Sequence, residues 1–156
     1  MNHWIYVTTS DNWAVTKKRN LLGVPERNKN VIGRLRKGDR CLVYVKQERI
    51  SGQVSGAQIV GEYEIASDVF YDPTKVFSTP RGMYEKETFS LRMKMRPLKI
   101  FEKPIEFKPL VEKLAFIRNK KNYGTHLIGR ALIPIGESDY KLIVSAHDSF
   151  KNGLRS

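Results

Sequence analysis

From Phe89 to Arg96 the chain alternates: Phe89, Leu91, Met93 and Met95 are apolar, while Arg92, Lys94 and Arg96 fall between them. A period of two belongs to a β-strand with one buried face and one wet face, and no helix tolerates it. The run ETFSLRMKMRPLKIF therefore predicts a long strand with a core face and a cationic face. The rest of the chain has to supply a sheet to hold it.

Partners for that strand are legible. HWIYVTT is rich in aromatic and β-branched residues, and alternation puts Trp4, Tyr6 and Thr8 on one face with His3, Ile5 and Val7 on the other. CLVYV, from Cys41, is a continuous apolar run suited to a strand covered on both sides. AQIVGEYEIASDVFYD predicts a further long strand, in which Gly61 marks a bulge, a close approach by backbone or ligand, or a simple packing requirement. KQERISGQVSGA reads as an exposed loop or hairpin connection, and DPTKVFSTPRGMY as a basic loop.

Between the strands lie short helical signals. SDNWAVTKKRN offers Ser10 or Asp11 as N-cap, with Trp13 and Val15 packing the turn. From Asn20 to Asp39 the pattern predicts a loop and then one helix: Pro25 at its first position, Glu26 in its first turn, Val31, Ile32 and Leu35 as the apolar stripe, and Gly38 as the stop. Arg27, Lys29, Arg34, Arg36 and Lys37 fall away from that stripe and form a basic face. FKPLVEKL predicts a short helix from Pro109, and NKKNYGTHLIGRAL a basic loop with a turn or two of helix. GESDYKLIVSAHDSF predicts a closing helix with Ser138 as N-cap and Leu142, Ile143, Ala146 and Phe150 on its inner side. Strands interrupted by short helices without regular βα alternation indicate an α+β fold. A chain of 156 residues suits one core, expected over residues 1–150 with 151–156 as a flexible tail.

The 28 lysines and arginines against 16 acidic residues give a formal charge of +12, a field that draws phosphate polyanions, although a basic surface can also serve solubility alone. No apolar run reaches membrane-span length and the first residues lack the features of a signal peptide, so a cytoplasmic protein with no membrane partner is expected. The single cysteine, Cys41, has no internal disulfide partner and reads as a core residue. His3, His126 and His147 have no metal-ligand spacing, so neither metal nor cofactor is expected. Glu62 and Glu64 share a strand face, but a solvated face explains them better than acid/base chemistry. Nucleotide-binding and nucleophile motifs are absent, which argues against an enzyme. What remains is aromatics (Trp4, Tyr6, Trp13, Tyr44, Tyr63, Phe70, Tyr71, Tyr84) interleaved with bases, the mixture a binder of extruded bases uses. Taken singly, each ring reads as packing.

Several segments together, HWIYVTTSDNW, GVPERNKNVIGRLRKGDRCLVYV, IVGEYEI, ETFSLRMKMRPLKI and FKPLVEKLAFIRNKKNYGTHLIGRAL, cover nearly the whole chain in family order. On them the chain resembles the EVE-domain proteins of the PUA-like superfamily, relatives of the YTH domains. The resemblance implies a bent mixed β-barrel surrounded by short helices, and a pocket between the first strand and the GVP helix. It implies a base-binding pocket of Thr8, Thr9, Asn12, Trp13, Leu22, Gly23, Val24, Pro25 and Tyr44, with Trp13 as stacking face and the hydroxyls and Asn12 amide reading base edges. Leu22 stands where the family often carries Trp, so one cage wall is aliphatic, and FSL replaces an aromatic-proline pair, although Arg92 is retained.

The expectation is then a nucleic-acid-binding module for RNA or DNA carrying a modified base, with Arg27, Lys29, Arg34, Arg92 and Lys94 on the phosphates. Two other readings use the same residues: an enzyme or enzyme subunit acting on nucleic acid through Glu26 or Asp39, and an architectural or ribosome-associated RNA binder without a base pocket.

Overall fold

Two parallel strands, β1 (His3–Thr8) and β3 (Arg40–Val45), form the centre of the molecule in the register Trp4 to Cys41 and Ile5 to Leu42. The computed structural model describes residues 1–79, 88–127 and 129–153, and of residue 50 and residues 149–153 it describes the backbone alone. Alternation sends Ile5, Val7, Leu42 and Tyr44 into one apolar cluster and Trp4, Tyr6, Cys41 and Val43 into another on the opposite face. Both faces of this pair are therefore dry, as the β-branched and aromatic composition requires.

Outward from the pair, β6 (Gln58–Ile65) lies antiparallel to β3, and β8 (Leu91–Glu106) antiparallel to β6. On the other side β9 (Leu132–Ile135) lies antiparallel to β1. The 16-residue β8 is long enough to serve two groups of neighbours: Leu91–Lys94 also pair with β2 (Leu21–Val24), and Leu91 and Arg92 with β7 (Phe70–Tyr71). Register slips at Ile59/Gly61 and Glu62/Tyr63 bend this part of the sheet, so Gly61 sits at a bulge as its sequence suggested. The strand order β2-β8-β6-β3-β1-β9 leaves the sheet a curled half-barrel, mixed in direction, rather than a closed barrel. A separate hairpin, β4 (Glu48–Ile50) with β5 (Gln53–Ser55), turns at Ser51 and Gly52, both with positive φ.

Among the described residues three α-helices pack around the sheet: α1 (Ser10–Arg19), α2 (Lys29–Ile32) and α3 (Glu137–Gly153). The cap of α1 is Thr9, one residue before those expected, and its side chain accepts from the Asn12 N–H. Ser10 instead gives its N–H and hydroxyl to Glu48 on β4, at 2.7 and 2.8 Å. Asn12 and Thr16 are the buried residues of α1, with Trp13 and Val15 only half-buried.

The expected Pro25 helix is corrected. Leu21–Val24 is a strand, Glu26–Asn28 a 3₁₀ turn, and α2 only four residues. Val24 precedes a proline, which favours extended backbone, and Pro25 itself stays extended at ψ 161°. Ile32 and Leu35 are still buried and Gly38 still breaks the run at φ +90°. Strand β9 was missed because it has four residues with a proline inside, tolerable only where the sheet ends. The long strand expected through Asp72 is two, β6 and β7. Ser138 lies within α3 rather than capping it, and the helix extends to Gly153. Tyr84, the side chain of Phe150 and residues 154–156 lie outside what is described.

Candidate functional site

Because β1 and β3 are parallel, both release their chains at the same end of the sheet, and there the Lys46 N–H donates to the Thr8 carbonyl at 3.0 Å. Chain ends gathered in this way leave a crevice that side chains from several connections can line. A cleft of about 70 Å³ lies here. Its walls carry Thr8 and Thr9 from the end of β1, Asn12 from α1, Pro25, Arg27 and Asn28 from the segment after β2, and Lys46 from the end of β3. Phe89 and residues 129–131 before β9 complete it. The Val7 N–H binds the Ala131 carbonyl at 2.8 Å, which fixes that last wall to β1.

The chemistry of this cleft is one-sided. Arg27, Lys46 and Arg130 stand on it as exposed cations, and among the described residues no carboxylate lines it. Asn28 has a buried Oδ1 with no hydrogen-bond partner among the described residues, an acceptor that costs free energy until a donor reaches it. Asn12 is engaged at both ends of its amide: its Nδ2 donates to the Ser78 carbonyl at 2.9 Å and its Oδ1 accepts the Ser78 N–H at 2.7 Å. It therefore fastens the Ser78 segment to α1 instead of offering its amide to a base edge.

Thr8, Thr9, Asn12, Pro25 and Arg27 are thus brought together as their sequence positions suggested, and the other expected pocket residues are elsewhere. Leu22 and Val24 are fully buried in the core, on the face that also holds Trp4 and Tyr6. A Cβ at Gly23 would run into the Phe77 ring, and the Gly23 carbonyl accepts the Tyr6 hydroxyl at 2.9 Å. Trp13 sets its edge against Tyr63, centroids 6.2 Å apart at 84°, and packs over Gly61. The wall expected from these residues is solid packing. Tyr44 lines a different hollow across Lys46.

The expected phosphate contacts divide similarly. Arg27 is on the cleft, Lys29 and Lys94 are exposed away from it, and Arg34 lies 5.4 Å over the Trp4 ring. Arg92, expected on a cationic face, is 2% exposed. It pairs with Asp72 at 3.2 Å, donates to the carbonyls of Phe89 and Thr74, and sits over the Phe77 ring. Burial with three oxygen partners makes it a clamp on the segment before β8. The Thr74 backbone N–H and hydroxyl, and after them the Arg92 charge, hold the Asp72 carboxyl below its ordinary value.

The carboxylates weighed for catalysis are also engaged or remote. Asp39 accepts from the Asn2 N–H, the Arg36 N–H and the Trp4 indole at 3.0–3.1 Å. Glu62 accepts the Tyr140 hydroxyl, and Glu64 pairs with Arg96 at 2.7 Å. Glu26 is exposed and does not line the cleft. Sequence reasoning missed Asn28, Lys46, Phe89 and Arg130. Lys46 carried a usable signal, since a lysine directly after a buried strand sits where parallel strands end; Arg130 depended on recognising β9.

The sheet, its open end and the helices around it define an α+β protein of the PUA-like fold, the one shared by its structural neighbours. The chain belongs to the EVE-domain family, whose model matches residues 2–146. It is 46% identical over 145 residues to a UPF0310 protein of Pyrococcus abyssi, a match spanning 93% of this chain and 99% of that one. Human THYN1, solved in complex with DNA containing 5-methylcytosine, superposes with a TM-score of 0.60 at 11% identity, covering 95% of this chain and 98% of its own. A YTH domain-containing protein, Mmi1, solved as an RNA complex, gives 0.58 at 10% identity, covering 99% and 88%. Among the described residues no helix is long and apolar enough to cross a membrane.

Proposed function

We propose that this protein is a nucleic-acid-binding module, without catalytic activity, that receives the edge of one base, carrying a modification, in the cleft at the end of β1. The observation that carries the reading is the cleft's make-up: Thr8, Thr9 and Asn28 on its walls, the Asn28 Oδ1 buried without a partner among the described residues, and Arg27, Lys46 and Arg130 beside them. An exocyclic amino group of a base supplies the donor that Asn28 lacks, and the cations match flanking phosphates. About 70 Å³ holds roughly two waters, enough for a base edge and a methyl group but not a whole ring. The DNA and RNA in the THYN1 and Mmi1 complexes support a nucleic-acid partner here, and the engagement of Asp39 and Glu62 supports binding over catalysis.

Fluorescence anisotropy with short single-stranded RNA and DNA, with and without methylated cytosine or adenine, tests this. The expected result is preference for one modified oligonucleotide that survives 200 mM salt and weakens on Asn28→Ala. Equal weak binding to every oligonucleotide, erased by that salt, would leave phosphate attraction alone and refute the base site. Mass spectrometry of the recovered oligonucleotides should show no product; a new mass would restore the enzymatic reading.

A further inference from the structure

Beside the cleft, sharing Val7, Lys46 and Gly129 as a common wall, lies a second hollow of about 380 Å³. That volume falls in the range of ligand pockets, roughly 300–1,000 Å³. Resting on the reading above, we propose that this hollow takes a second base, that of the nucleotide adjacent on the same strand, stacked on Tyr123, with Lys46 at the phosphate between the two.

The hollow is built for a flat, apolar-faced group beside an anion. Val7 and Leu127 give it aliphatic surface, and the half-buried Tyr123 ring forms one side. Tyr123 is backed by Phe107 at 5.7 Å, which stands edge-on to Tyr44 at 4.9 Å and 89°. Three rings in contact hold one another, so the Tyr123 face is presented without having to be ordered on binding.

The segment that carries Tyr123 is tied at several points although it has little regular structure. Lys120 Nζ donates to the carbonyls of Val111 and Leu114 at 2.9 and 2.6 Å. The Asn119 N–H donates to His126 Nε2 at 2.9 Å, and the Asn122 N–H to Asn119 Oδ1 at 3.2 Å. With Lys120 spent on those carbonyls, its neighbour Lys121 is left exposed on the hollow. Among the described residues Lys46 and Lys121 are its charged groups and no carboxylate lines it. Base stacking on an aromatic beside a cationic track is how single strands are held with little sequence preference.

The test uses the full chain and the modified oligonucleotide it prefers, with an abasic residue placed in turn at each position flanking the modified base. In the wild type one flanking abasic substitution should weaken binding roughly five- to a hundred-fold. The same substitution should cost little in Tyr123→Ala, because the partner ring is already gone, and Tyr123→Phe should behave as wild type. Lys121→Glu, an exposed change, should weaken binding without altering the thermal midpoint. If the wild type binds but every flanking abasic substitution is neutral, or Tyr123→Ala shows the same loss as wild type, the second base site is refuted while the cleft reading stands. If no oligonucleotide is preferred at all, the cleft reading itself has failed.

Discussion

The two faces of the β1–β3 pair carry comparable numbers of rings and use them differently. On one face Trp4, Tyr6, Trp13 and Tyr63 meet Leu22, Val24 and Met93 in a packed core. On the other, Tyr44, Phe107 and Tyr123 pack together and stop short of filling the space beyond them. Both tryptophans lie on the packed face. An aromatic count therefore does not locate a base site; what matters is whether the strand ends leave a gap beside the rings.

If that contrast is right, the packed face should show itself in stability and the open end in binding. Leu22→Ala should have the largest effect, a loss of about 2–5 kcal/mol read by urea denaturation, because Leu22 is fully buried and cannot be replaced by water. Affinity per folded molecule should be unchanged, and a specific loss of binding at full stability would place Leu22 back in the site. Arg92→Met comes next, at about 1–3 kcal/mol, from leaving the Phe89 and Thr74 carbonyls without their donor. Lys94→Met, two residues along on the exposed face, should stay within about 0.5 kcal/mol; equal effects would mean that Arg92 is not a clamp.

The tyrosines sharpen the comparison by pH. Burial pushes Tyr6 and Tyr63 up to about 12, and raises Tyr44 and Tyr140 as well. A folded pKa above the unfolded one means the neutral phenol is the form the fold prefers. The contribution is complete below the unfolded value near 10 and is lost as pH rises toward 12. The denaturation midpoint should fall between pH 9 and pH 11, and tyrosinate absorbance should lag behind that of the denatured chain; superimposable titrations would contradict the buried placement. The smallest change in stability is expected at the open end. Lys46→Ala with Arg130→Ala should leave unfolding within about 0.5 kcal/mol while lowering the salt slope of oligonucleotide binding by about 0.7 per cation removed.

Much of this was legible in the sequence where one rule acted alone. Alternation in HWIYVTT and around Met93 sorted the strand faces, and the bulge at Gly61 is one of the readings its sequence left open. Failures came where two rules competed. Arg92 obeyed the alternation, yet residues 70–79 and Phe89 close over its side chain and bury it, a long-range event that periodicity does not encode. Pro25 was compatible with starting a helix and with ending a strand, and pairing of Leu21–Val24 with β8 decided for the strand. Of the site, the residues at the end of β1 were visible, but the opposite wall depended on β9 and residues 129–131, whose place against β1 follows from tertiary pairing.

The most direct test of the account is an amide and indole chemical-shift titration of the protein with its preferred short single strand. Shifts should centre on Thr8, Thr9, Asn28, Lys46 and residues 129–131, while the Trp13 indole signal stays where it is. Shifts gathered instead on Arg34, Arg36 and Lys37 or on the Trp13 indole, with the amides at the end of β1 unmoved, would contradict it.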